Sequence, residues 1–199
     1  MVRIAVLVSG SGTNLQAIID ACKSGDIGNG AIKLVVSNKR DAYGLERARN
    51  EGIKAVFENK EEAVLELLES EGIDLIVLAG YLKILSPEFI RKYENRIINV
   101  HPSLIPSFCG KGYYGLIVHE KAIEYGVKVS GATVHFVTEE ADAGPIIMQG
   151  AVPVLDSDDA SSLQKRVLDV EHKLLVEAID LYCNSRLRID GRRVYTNGK

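Results

Sequence analysis

Tryptophan is absent from the 199 residues, and the chain has only three cysteines, five prolines and two methionines. The cysteines, at 22, 109 and 183, are odd in number, widely spaced and without a C-x-x-C pair. That pattern excludes a disulfide scaffold and a zinc site, and it suits a reducing cytoplasm. Long apolar runs are lacking too: the longest, residues 75–82, falls far short of the ~18 residues a membrane span needs. The first residues carry one arginine and then a strand-like run, not a signal peptide. An excess of basic charge is missing, since 24 Lys+Arg stand against 27 Asp+Glu for a net charge of −3. Nucleic-acid-binding domains are usually strongly basic, so neither a nucleic acid nor a membrane is the expected partner. Small anionic ligands stay open, because local geometry catches them.

What is present is ordinary for a soluble globular protein: 46% hydrophobic and 26% charged residues. A chain this long buries roughly 70% of its unfolded surface and needs no metal to fold. Residues 3–8 (RIAVLV) form a continuous apolar run of the kind buried on both faces of a sheet. Further strand-like runs at 32–37, 55–57, 74–79 and 97–100 alternate with helical periodicity at 14–24, 42–51, 60–70 and after Ser86-Pro87-Glu88. This alternation predicts an open, twisted, mostly parallel α/β sheet with right-handed crossovers and helices on both faces. After residue 100 the pattern changes. A long loop over 101–115 leads to a helix over 116–125, and strands at 130–137 and 145–154 are expected to add antiparallel at the sheet edge. The longest helix spans 160–185, its apolar stripe predicting core packing, and Asp190-Gly191 signals a hairpin. With no repeat or linker, one domain over 1–199 is expected: a phosphate-binding half over 1–100, then the loop, late strands and long helix over 101–199.

Three features carry chemistry. Ser9-Gly10-Ser11-Gly12-Thr13-Asn14 lies between the first strand and the first helix, where backbone N–H groups and the positive helix end receive an anion. A dinucleotide fingerprint fails here, because Leu15 stands at the third glycine position and no acid ends the second strand. A single phosphate is the favoured ligand over NADP. The second feature is Asn99-Val100-His101-Pro102-Ser103, at the carboxyl end of a central strand. Period-2 alternation points Asn99 and His101 the same way, so an amide donor for a developing oxyanion stands beside a proton-moving imidazole. Of the other histidines, His119 and His172 read as helix-surface residues and His135 as a hydrogen-bonded core residue. The third feature is the acidic turn at 138–145, where Asp142 is followed by Gly144 and Pro145. A carboxylate fixed there would orient His101, though nothing in the spacing shows that the two meet.

Four blocks in order, residues 9–16 (SGSGTNLQ), 74–85 (DLIVLAGYLKIL), 98–106 (INVHPSLIP) and 131–145 (GATVHFVTEEADAGP), resemble the phosphoribosylglycinamide formyltransferases of purine biosynthesis from end to end. The resemblance implies a Rossmann-like formyltransferase fold. It also implies formyl transfer from 10-formyltetrahydrofolate, a co-substrate, to the amine of phosphoribosylglycinamide, with no metal. Asn99, His101 and Asp142 then match the family's catalytic residues. Gly12, Thr13 and Asn14 match its substrate-phosphate loop, and Glu171 a carboxylate that holds the glycinamide. Lys60, Leu82, Lys83, Ile84 and Leu85, with Asn99 and the 138–142 loop, match the folate site. Cys109 stands where many relatives carry proline, and residues 111–129 follow the longer version of that segment. Formyltetrahydrofolate hydrolase and methionyl-tRNA formyltransferase share the Asn-His-Asp set but carry additional domains. A non-enzymatic phosphosugar-binding module would leave the set unused. A monomer or homodimer in the cytoplasm is expected.

Overall fold

The computed structural model describes residues 1–196. Apolar runs form β1 (Val2–Val8), β2 (Gly30–Ser37), β3 (Lys54–Phe57), β4 (Leu75–Leu78) and β5 (Ile97–His101). Between them lie α1 (Thr13–Ser24), α2 (Tyr43–Asn50), α3 (Glu61–Ser70) and α4 (Pro87–Lys92). The chain continues through α5 (Leu116–Tyr125), β6 (Val129–Phe136), β7 (Ile146–Pro153), α6 (Ala160–Cys183) and the hairpin β8 (Leu187–Asp190) and β9 (Arg193–Thr196). One sheet holds all nine strands in the order β3-β2-β1-β4-β5-β6-β7-β9-β8. The first five are parallel, and β6 and β7 add antiparallel as the sequence predicts. The hairpin then joins through a parallel pairing of Ile146 with Arg193. Its two turn residues are Gly191 and Arg192, one position beyond the Asp190-Gly191 signal, with Gly191 at φ +58°.

Alternation along the strands divides the core. Val6 and Val8 face the layer of α1, α2 and α6, whereas Ala5 and Leu7 face α3 and α4. Both sets are fully buried, which is why β1 reads as a continuous apolar run. Each buried Leu or Val stabilises the fold by about 1.5–3 kcal/mol relative to exposure. The stripe of α6 is core, not a free face: Leu163, Val167, Leu175 and Ile179 are fully buried. Asp159 caps this helix, accepting from Ser162 N at 2.7 Å while Ser162 Oγ accepts from Asp159 N at 3.0 Å. Such a reciprocal cap fixes where α6 begins, and with it the height of Glu171 three turns later.

His119 corrects the sequence reading. It lies on α5 but is fully buried, and neither ring nitrogen has a hydrogen-bond partner among the described residues. Burial, reinforced by the charge of His101, lowers its pKa to about 4. The helix turns this face inward because α5 packs against α6, where Ala122 shares a cluster with Leu163 of α6 and Ala132 of β6. His172 is half-buried rather than on the surface, and burial lowers its pKa.

Candidate active site

In parallel α/β sheets, ligands bind beyond the carboxyl ends of the strands. The strand register sets Leu7, Leu78 and Asn99 side by side, so the segments leaving β1, β4 and β5 share one rim. Gly12 caps α1 in the left-handed region at φ +72°, with no side-chain cap and no acid in the helix's first turn. The N–H groups of that turn are therefore open to an anion. A Cβ on Gly12 would meet Gly44 Cα at 2.7 Å, so glycine is required for α2 to approach the loop. Ser9 ties the loop to the segment after β4: its N–H donates to Gly80 O at 3.1 Å and its hydroxyl accepts from Leu82 N at 2.8 Å. From α1, Asn14 Nδ2 donates to Glu171 Oε2 at 2.9 Å, across the gap to α6. Burial pushes the Glu171 carboxyl above its ordinary range, against the bond from Asn14.

At the end of β5 the three expected residues converge. His101 Nδ1 lies 3.5 Å from Asp142 Oδ2, and its Nε2 is bonded to Phe108 O at 2.9 Å. Burial lowers the His101 pKa below its ordinary 6.5, outweighing Asp142 and the Phe108 carbonyl, which both favour the charged ring. Asp142 itself sits at φ +53°, and Gly110 N donates to its Oδ2 at 2.9 Å. Burial pushes this carboxyl up, but the His135 and His101 imidazoles and the Gly110 N–H outweigh it, leaving the pKa below the ordinary value. The turn is held by its glycine: a Cβ on Gly144 would lie 1.7 Å from Phe136 O. Arg91 Nη1, reaching from α4, donates to Glu139 Oε1 at 2.8 Å on the same turn.

The sequence did not place His135 here. It faces Asn99 in the β5–β6 register, with its Nε2 3.1 Å from Asn99 Nδ2 and 3.7 Å from Asp142 Oδ1. Its Nδ1 is bonded to Phe136 O at 2.8 Å, so the tautomer protonated there leaves Nε2 to accept from the Asn99 amide. His135 is thus both the core residue the sequence predicts and the group that orients Asn99. The β6–β7 register shifts between Val134 and His135, where Ile147 of β7 is the extra residue.

A cleft of about 560 Å³ opens onto these groups, walled by Leu82, Lys83 and Ile84 on one side and residues 110–115 on the other. A recess of about 130 Å³ continues past Leu85 and Val137 beneath the acidic turn. Leu82 and Ile84 are 51% and 74% exposed, apolar side chains presented to an open cleft. Lys83 Nζ donates to Asn59 O at 2.6 Å. Lys60, the next residue, is exposed at the cap of α3 and lines neither hollow. Burial, with the charge of Asp142, pushes the Cys109 thiol up, so it is no activated nucleophile. Among the described residues no group of three His, Cys, Asp or Glu is placed to hold a metal ion, and no helix is long and apolar enough to cross a membrane. A larger hollow, about 640 Å³, opens at the opposite rim around Asp74, Arg96 and Tyr182, without an imidazole.

A mostly parallel sheet that sets an amide, an imidazole and a carboxylate beside an open helix end has the groups an enzyme needs to polarise a carbonyl and move a proton. The chain belongs to the formyl transferase family, whose model matches residues 2–179. It is 44% identical to the phosphoribosylglycinamide formyltransferase of Haemophilus influenzae, covering 100% of this chain and 95% of that protein. Its fold matches glycinamide ribonucleotide transformylase 1 from Symbiobacterium toebii with a TM-score of 0.93 and 46% identity, over 100% of this chain and 95% of that one. A formyltetrahydrofolate deformylase from Pseudomonas syringae matches with a TM-score of 0.89 at 28% identity, over 99% of this chain and 66% of that one.

Proposed function

We propose that this enzyme transfers the formyl group of 10-formyltetrahydrofolate to the amine of 5-phosphoribosylglycinamide, giving formylglycinamide ribonucleotide and tetrahydrofolate in purine biosynthesis. The observation that carries the site assignment is the meeting of Asn99, His101 and Asp142 on one rim, beside both an apolar cleft and an open helix end. Gly12, Thr13 and Asn14 receive the phosphate, and Glu171, held by Asn14, takes the glycinamide end. Leu82, Ile84 and Leu85 pack against the folate ring system. Lys83 offers charge to its acidic tail, with Lys60, next to the Asn59 that Lys83 contacts, as a further cation outside the cleft.

The amine nitrogen adds to the formyl carbon, giving a tetrahedral adduct that collapses as the bond from that carbon to the folate nitrogen breaks. Negative charge builds on the formyl oxygen meanwhile. The Asn99 amide, turned by His135, donates to it. His101, neutral near neutral pH because burial lowers its pKa, takes the amine proton and passes it to the departing folate nitrogen. Asp142 holds the imidazolium in between. Access to Nε2 requires the Phe108 carbonyl to yield its place. No covalent bond to the enzyme forms, and the cysteines play no part. The reaction belongs in the cytoplasm, with small molecules as partners.

The test is to follow folate release from protein and formyl-folate with and without phosphoribosylglycinamide. Release is expected only with the sugar substrate; release without it supports the deformylase reaction instead. Asn99→Ala is expected to lower turnover at least about a hundredfold while the phosphosugar still binds. Near-normal turnover in that variant removes the role given to Asn99.

A further inference from the structure

Arg47 lies on α2, outside the clefts described above, in the run Gly44-Leu45-Glu46-Arg47 that the proposed chemistry leaves unused. Its Nε donates to Ser11 O at 2.8 Å and its Nη1 to Gln16 Oε1 at 3.1 Å. Its guanidinium carbon stands 5.0 Å from the centre of the Tyr43 ring. Among the described residues it forms no ion pair. Its neighbour Arg49 pairs instead with Glu46 at 2.5 Å. The guanidinium thus spends its hydrogen bonds on neutral oxygens of the anion loop and of α1's first turn, and keeps its charge unneutralised there. The backbone brings it close: Gly44 N donates to Gly10 O at 3.0 Å, and a Cβ on Gly12 would lie 3.4 Å from Arg47 Cδ.

We propose that Arg47 is a positioning residue for the phosphate of the phosphoribosyl substrate, holding the loop open to the anion and supplying an uncompensated positive charge behind it. The inference rests on the reading of Gly12, Thr13 and Asn14 as the phosphate cradle. A neutral loop with a free helix end attracts a dianion weakly in water. A fixed cation at its back adds to the partial charge of the helix terminus. The fork geometry matters as well, because one guanidinium bridges the loop carbonyl and the side chain of the helix that follows.

The experiment uses the whole chain, with inorganic phosphate as the probe and steady-state kinetics in both substrates. Arg47→Met is expected to raise the KM for phosphoribosylglycinamide and the inhibition constant of phosphate together, each by at least about tenfold. The KM for formyl-folate should stay within about twofold, a split that general damage to the fold would not produce. Weakening of phosphate binding by added salt should also be shallower in Arg47→Met than in the parent. Arg47→Lys, which keeps the charge without the fork, is expected to raise the same two constants severalfold while retaining the parent's salt dependence. If Arg47→Met does not fold, Arg47→Lys alone decides. Unchanged phosphate constants in the folded variants, or equal losses for both substrates, overturn the proposal. If phosphate fails to compete with phosphoribosylglycinamide in the parent protein, the cradle reading fails as well. Competition in the parent with unaltered Arg47 variants defeats only the role of Arg47.

Discussion

His101 is surrounded by groups that pull its proton affinity in opposite directions. Burial disfavours the imidazolium, whereas Asp142 and the Phe108 carbonyl favour it, and burial wins. The ring is therefore neutral above a pKa lying below 6.5, and the acid limb of kcat/KM should fall there. Asp142→Asn removes a group that raises the His101 pKa, so the limb should move to still lower pH while kcat drops. A pH–rate profile of both proteins checks this, and a limb that moves upward contradicts the arrangement. Asn99 shows the same dependence on neighbours: a side-chain amide can turn either face, and His135 Nε2 decides which.

Elements set distances that no single residue controls. The acidic turn between β6 and β7 can carry Asp142 to His101 only because Gly144 passes against Phe136 O. Gly144→Ala should cost about 1–3 kcal/mol of stability through overpacking. It should also lower turnover by more than that loss explains, a difference read by denaturant unfolding beside kinetics. The α1–α6 bridge illustrates an exchange of stability for binding. Glu171 is buried with its carboxyl pKa raised, so its share of stability is largest when protonated and is lost as pH rises through the carboxylate range. Glu171→Gln keeps the shape and removes the buried charge. Near neutral pH its melting temperature should rise by a few degrees, and its KM for phosphoribosylglycinamide should rise more than about tenfold. A lower melting temperature would falsify this account of Glu171.

At the scale of the whole molecule, the second half of the chain packs over a buried, neutral His119. Its folded pKa of about 4 lies below the ordinary 6.5 that the unfolded chain retains. Stability from this residue is present above 6.5 and drains away as pH falls toward about 4. The loss amounts to about 3 kcal/mol at most. His119→Leu should flatten that part of the pH–stability curve, measured by thermal or urea unfolding. An unchanged curve would show that other groups govern acid unfolding.

The parallel half was legible in the sequence because its signals are local. Buried strands such as residues 3–8 read as unbroken apolar runs, and Gly25, at φ +86°, ends α1 where the periodicity stops. The loop at 9–14 and the Asn99–His101 alternation were equally visible, since both follow from spacing along one segment. Long-range placement was not. Asp142 lies forty residues or more from Asn99 and His101, and only the turn fixed by Gly144 brings it within 3.5 Å of the imidazole. His135 joined the site through the pairing register of β5 with β6, which period-2 patterning leaves open. The inward face of His119 depended on what α5 packs against. Local periodicity and turn chemistry are written residue by residue, whereas a site built across strands and helices exists only once the core has set their register and height.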